Sequence, residues 1–185
     1  ETKFADEAYA ETIYHSFVSE LWRHGTMRAA VFATVHTPAT HILARAFNEA
    51  GMGALIGLVG MDRHTPATLC NTPAEWAAGM QTLIESLASM PLVKPIITPR
   101  FIPSCTPEML RCMGEMAKQT LLPVQSHLSE NQQEIAWVHE LEPEATCYGD
   151  AYHRYGLFGQ TPTLMAHCCY TEGEELRLMC DQNVC

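Results

Sequence analysis

Apolar positions along the 185-residue chain follow two alternating rhythms, one of helical spacing and one of short unbroken runs. From about Asp6 to His24, Ile13, Tyr14, Phe17, Val18 and Leu21 fall at helical spacing, which predicts an amphipathic helix that Gly25 can close. Met27 to Val35 reads as a strand. Thr37-Pro38 then supplies an N-cap and a first-turn proline for a helix with Ile42, Leu43, Ala46 and Phe47 on one face. Ala54 to Met61 is the next strand. Thr72-Pro73-Ala74-Glu75 has the spacing of a capping box, ahead of a buried stripe of Trp76, Met80, Leu83, Ile84 and Leu87.

The alternation continues to the end. Val93 to Thr98 is a short apolar run, Thr106-Pro107 caps another helix, and Leu121 to Ser126 is the strand before His127. Asn131 to Glu142 is helical with Ile135, Val138 and Leu141 toward the sheet, and Tyr148 to Phe158 holds a shorter helix. Thr163 to Ala166 leads to His167, after which Thr171 and Glu174 repeat the capping-box spacing. Continuous apolar strands alternating with amphipathic helices predict an α/β fold, a parallel sheet covered by helices, because crossover connections bury such strands on both faces. Their polar ends, His36, Asp62, Arg100, His127 and His167, are then expected on one rim.

Composition narrows the partners. At 47% hydrophobic and 17% charged residues the chain has ample core material, and it reads as one domain or part of one. A formal net charge of -10 argues against nucleic acid or an anionic membrane as partner, since both are bound through clustered Lys and Arg. A small-molecule substrate fits better. The eight cysteines show no paired CxxC spacing, and no run resembles a secretory leader or a membrane span, so reduced thiols in a cytoplasmic protein are expected. The first residue is Glu1 rather than Met, which suggests a chain trimmed or cut from something longer.

The candidate chemistry sits at the strand ends. His127 and His167 each follow a buried run, and two imidazoles at equivalent ends of a parallel sheet can share one metal ion. Either taken alone reads equally well as a hydrogen-bonded core histidine. Neutral imidazole suits Zn²⁺, with iron or another divalent ion as alternatives. Glu130, three residues past His127, can exchange protons with metal-activated water, or can simply favour a helix N-terminus. Arg100 has the planar donor fork to grip carbonyl oxygens and ring nitrogens, with a structural ion pair as the alternative. Phe101 can form an aromatic wall or belong to the core. His36 is a weaker candidate, and Cys168 and Cys169 read as small packing residues beside His167.

Five segments carry a resemblance: Phe32 to Thr37, Val93 to Phe101 with its Thr-Pro-Arg-Phe ending, Gln125 to Asn131, Tyr152 to Gly156, and Met165 to Cys168. They resemble the amidohydrolase superfamily and, within it, the guanine deaminases. The resemblance implies a (β/α)8 TIM-barrel catalytic domain of the metal-dependent type, of which residues 1–185 would hold about strands two to six. It also implies one zinc ion on His127 and His167, Glu130 as proton shuttle, and Arg100 with Phe101 against the purine. The implied reaction is hydrolysis of guanine to xanthine and ammonia, in a protein of homodimeric type.

The departures from that pattern are an HxH pair on the first barrel strand and an Asp at the eighth, neither of which occurs here. An isolated piece of this kind is expected to have open sheet edges, to bind zinc weakly and to be inactive alone. Two other readings stay open at this level: a related deaminase or chlorohydrolase acting on another heterocycle, and a non-catalytic remnant with an incomplete metal site.

Overall fold

The structure, a computed structural model, describes residues 1–185. Its elements are α1 (Glu7–Arg23), β1 (Arg28–Phe32), α2 (Thr37–Glu49), β2 (Gly53–Gly57), β3 (Val59–Gly60), α3 (Pro73–Leu87), β4 (Val93–Pro95), β5 (Thr98–Pro99), α4 (Pro107–Thr120), β6 (Val124–Leu128), α5 (Gln132–Leu141), α6 (Tyr148–Arg154), β7 (Thr163–His167) and α7 (Gly173–Gln182). Every strand pairing is parallel, as the alternation of strands and helices requires.

Two of the strand runs read from the sequence are each broken in the middle. Ala54 to Met61 becomes β2 and β3, and Val93 to Thr98 becomes β4 and β5. The lower ladder runs β1-β2-β4, the upper one pairs β3 with β5, and β6 pairs with β7. At the break Trp76 donates its indole N–H to the Leu58 carbonyl at 3.1 Å, replacing a lost ladder bond. Pro95 has no N–H, and beyond it the chain changes partners: the Ile97 amide donates to Pro123 O, and Gln125 N donates back to Ile97 O. A bridge between Ile97 and Val124 thereby joins β6 to the rest, giving an open parallel wall rather than a closed barrel.

Gln125 links three strands. Its Nε2 donates to Val31 O and to Thr98 Oγ1, both at 3.0 Å, so one side chain ties β6 to β1 and β5. Gly57 makes room for it: a Cβ there would overlap the Thr98 hydroxyl and the Gln125 amide. Outside the wall, 36 buried residues form one hydrophobic cluster that includes Trp76, Phe47, Tyr148, Tyr152 and Phe158.

The helix starts test the capping signals. Asp6 caps α1 by accepting from the Ala8 and Tyr9 amides, Thr72 and Glu75 form the full capping box, and Thr106 and Asn131 cap α4 and α5. Two expectations are corrected. Thr37 lies inside α2, whose N-cap is His36 with no side-chain cap bond. Likewise α7 starts after Glu172 without a side-chain cap, so Thr171 and Glu174 do not form a capping box. The strand expected from Leu121 begins only at Val124, because Leu121 ends α4 in the left-handed conformation, φ 57°. The short helix expected within Tyr148 to Phe158 is α6, which stops at Arg154 ahead of Gly156 at φ 75°.

Candidate metal centre at the strand ends

His127 is the penultimate residue of β6 and His167 closes β7, in adjacent parallel strands. Pairing in register sets Leu128 opposite His167, and the two imidazoles stack with centroids 5.2 Å apart and planes 21° from parallel. Sequence reasoning brought these two residues together, and the structure does the same.

A carbonyl oxygen can only accept, so the 2.6 Å contact between His127 Nδ1 and Arg100 O makes Nδ1 the donor. That leaves Nε2 with its lone pair free, the tautomer a metal ligand needs. Partial burial pushes the His127 pKa below its usual value; His167 and the Arg100 charge act in the same sense, against the Arg100 carbonyl and Glu130. The neutral, coordinating form is thereby favoured. On the other ring, His167 Nε2 faces Glu130 Oε2 at 3.6 Å, with both side chains partly open to solvent.

The peptide framework around the pair is unusual. Ser129, His167 and Cys168 all adopt positive φ, at 46°, 75° and 53°. Cys168 N donates to Leu128 O at 2.9 Å and Tyr170 N to Ser129 O at 3.1 Å, so the turns after β6 and β7 hold each other in these conformations. Two imidazole donors with a carboxylate beside them suit a divalent ion of zinc type. No group of three or more His, Cys, Asp or Glu side chains that could hold a metal ion gathers in this chain.

Arg100 and Phe101 follow β5 on the same rim. The Arg100 guanidinium lies 5.6 Å from the Phe101 ring centroid, and its Nη1 is 3.8 Å from Met61 Sδ. No carboxylate of this chain forms an ion pair with it, which removes the structural alternative as far as these residues go. Phe101 is half-buried and meets Trp137 edge-on at 6.3 Å. Asp62, on the same rim, has a different duty: its two oxygens accept from Thr106 N at 2.7 Å and Thr106 Oγ1 at 2.6 Å, fixing the start of α4. His36 is engaged locally, its Nδ1 3.0 Å from Thr34 Oγ1.

Sequence reasoning missed the supports. Phe32 packs on the His127 ring at 4.5 Å, and Tyr152 donates from Oη to His127 O at 2.9 Å. Ser126 Oγ stands 2.7 Å from that same Tyr152 oxygen and donates to Pro99 O at 2.8 Å. Burial holds the Tyr152 phenol far above its ordinary pKa, so it remains a neutral donor. Phe32, Ser126 and Tyr152 all fall in segments that carry the family resemblance, but no role was read for them; Tyr148 and Tyr152, four apart on α6, stack at 5.5 Å.

Comparison with known proteins agrees with this architecture. The model of the amidohydrolase family matches residues 2–185. Guanine deaminase from Dictyostelium discoideum is 38% identical over 184 residues, covering 98% of this chain and 41% of that protein. The crystal structure of guanine deaminase from C. acetobutylicum, with guanine bound in the active site, superposes with a TM-score of 0.96 at 41% identity, over 99% of this chain and 44% of the other. An adenosine deaminase from Xanthomonas campestris with bound zinc shares the fold at a TM-score of 0.82 and 20% identity, over 99% of this chain and 40% of the other. The chain therefore spans about two fifths of the length of these relatives, 41% of the first. With the strand-end histidines, the parallel wall and a match over nearly every residue in agreement, the chain belongs to the amidohydrolase family.

Proposed function

We propose that the protein carrying this chain hydrolyses guanine to xanthine and ammonia, using one zinc ion, and that residues 1–185 form part of its catalytic domain. The observation that carries this reading is the stacking of His127 on His167 at 5.2 Å, with Glu130 3.6 Å from His167 and Arg100 following β5 on the same rim. It is supported by the relative that holds guanine in its active site at 41% identity. A small purine also accords with a net charge of -10, which disfavours polyanionic partners. No helix is long and apolar enough to cross a membrane. A cytoplasmic setting and a homodimer belong to the same reading.

His127 and His167 would hold the ion through imidazole nitrogen, His127 by Nε2. When bound, zinc acts as a Lewis acid and lowers the pKa of water to about 7, making a nucleophile available near neutrality. Further roles fall to side chains of this chain. Glu130 accepts the proton that the attacking water gives up and returns it to the amino nitrogen, so that ammonia leaves and the ring carbon gains an oxygen. Arg100 donates from its guanidinium to the purine oxygen and to the N7 acceptor on the same edge, a planar match that fixes which carbon faces the water. Phe101 braces that guanidinium from beneath.

The test is steady-state assay of the full protein with guanine, following ammonia release and zinc content together. Release of one ammonia per xanthine from zinc-loaded protein is expected. Inert guanine alongside turnover of another amino- or chloro-heterocycle would replace the substrate assignment.

A further inference from the structure

Glu175 is a carboxylate on α7, 5% exposed, with both oxygens used inside the protein. Its Oε2 accepts from Ser129 Oγ at 2.6 Å, and its Oε1 accepts from the Gly149 amide at 2.8 Å. Gly149 lies in the first turn of α6, whose own N-cap residue, Cys147, makes no side-chain cap bond. The carboxylate therefore satisfies an otherwise free helix amide with one oxygen and holds the turn after β6 with the other. Three elements meet on this one side chain.

The held residue is the one that matters. Ser129 sits between Leu128, at the end of β6, and Glu130, and its φ of 46° is a conformation side-chain-bearing residues avoid. Main-chain bonding from Tyr170 to its carbonyl fixes one side of that turn. The Glu175 bond to its hydroxyl fixes the other. A relaxed φ at Ser129 would swing the next residue, Glu130, away from His167 Nε2, 3.6 Å off in the present geometry.

We infer that Glu175 is a positioning residue: it holds Ser129 in the left-handed conformation that aims Glu130 at the metal centre, and it couples that aim to the packing of α6 and α7. The inference rests on the reading of Glu130 as proton shuttle, although the geometric part of it does not. Glu175 touches neither metal ligand nor substrate and acts only through Ser129. Glutamine can take its place, since the amide oxygen can accept from Gly149 and the amide N–H can donate to Ser129 Oγ. Alanine leaves both buried partners unsatisfied.

The experiment compares Glu175→Ala, Glu175→Gln and Ser129→Ala in the full protein. Amide hydrogen exchange is read in metal-free protein, and zinc content, kcat and KM after loading. In Glu175→Ala, exchange at residues 129–131 should accelerate by roughly tenfold or more. Its kcat should fall by about 10- to 100-fold as the carboxylate loses its aim, with KM for guanine and zinc content unchanged. Glu175→Gln should restore both exchange and kcat. Ser129→Ala keeps the α6 cap, folds without the helix defect, and should show the same exchange signature. Unchanged exchange at 129–131 in Glu175→Ala and Ser129→Ala, or a Gln variant as impaired as Ala, overturns the inference. A parent protein inert toward guanine would instead defeat the function proposed above, while the exchange data still decide the role of Glu175.

Discussion

The main-chain oxygen of Arg100 accepts from His127 Nδ1 at 2.6 Å, so the residue whose side chain is read as the purine's anchor also fixes the tautomer of a candidate metal ligand through its backbone. Substituting the Arg100 side chain leaves that hydrogen bond in place. Metal binding and substrate recognition can therefore be separated by mutation at one position.

Arg100→Ala in the full protein is expected to keep zinc content and melting temperature while weakening guanine processing. A lost charged hydrogen bond is worth about 1.5–3 kcal/mol, or roughly ten- to a hundredfold in kcat/KM. The control substrate is a purine lacking the ring oxygen. An equal loss on both substrates would remove Arg100 from the recognition role.

His127→Ala and His167→Ala should each abolish most bound zinc, since each removes one donor and neither has a substitute of equal kind nearby. Metal analysis after dialysis is the measurement. Full stoichiometry in both variants would reject the pair as ligands.

Glu130→Gln keeps size and hydrogen-bonding capacity but cannot accept a proton from water. Turnover should fall by about 10²–10⁴ with zinc retained. Loss of the metal along with activity would make Glu130 a support for His167 instead, consistent only with the 3.6 Å contact between them.

Asp62→Ala tests a rim residue that the structure assigns to stability. Both its oxygens serve Thr106 at the head of α4. Removing them should cost about 1.5–3 kcal/mol, seen as a melting temperature lower by several degrees. Zinc content should not change, and a loss of zinc would place Asp62 in the metal centre.

Cys105 is fully buried, donates to Gly60 O at 3.3 Å, and has its thiol pushed up to about 12, chiefly by burial. Iodoacetamide at mildly alkaline pH should therefore leave it unmodified in folded protein and label it only after denaturation. Mass spectrometry of the corresponding peptide reads the outcome. Labelling at the rate of exposed Cys70 would show that the region around β3 opens.

Much of this fold was legible in the chain because burial imposes local periods. Of the expected stripe, Trp76, Met80, Leu83 and Leu87 lie four, three and four residues apart and are buried, while Ile84 at its margin is only partly so. The strand ends placed His127 and His167 together for the same reason: parallel order puts every C-terminal end on one rim. What stayed hidden depends on separation along the chain. Ser126 and Tyr152 meet across 26 residues, Ser129 and Glu175 across 46, and Gln125 reaches Val31 across 94. No local pattern announces such partners. The spacing of Thr171 and Glu174 misled because Glu175, one residue on, is drawn inward by Ser129 and Gly149, and α7 begins in the register that allows it.

His167 and Cys168 are consecutive non-glycine residues in left-handed backbone, at φ 75° and 53°. Each such residue costs about 1–2 kcal/mol, more than the roughly 0.5–1 kcal/mol of chain entropy that glycine would add to the unfolded state. Selection for heat tolerance alone would thus push this segment toward glycine, and at position 167 such a change deletes the imidazole. Variants that survive longer on heating would then be the ones that have lost this imidazole, so any thermostabilisation campaign on this scaffold should check residue 167 alongside melting temperature.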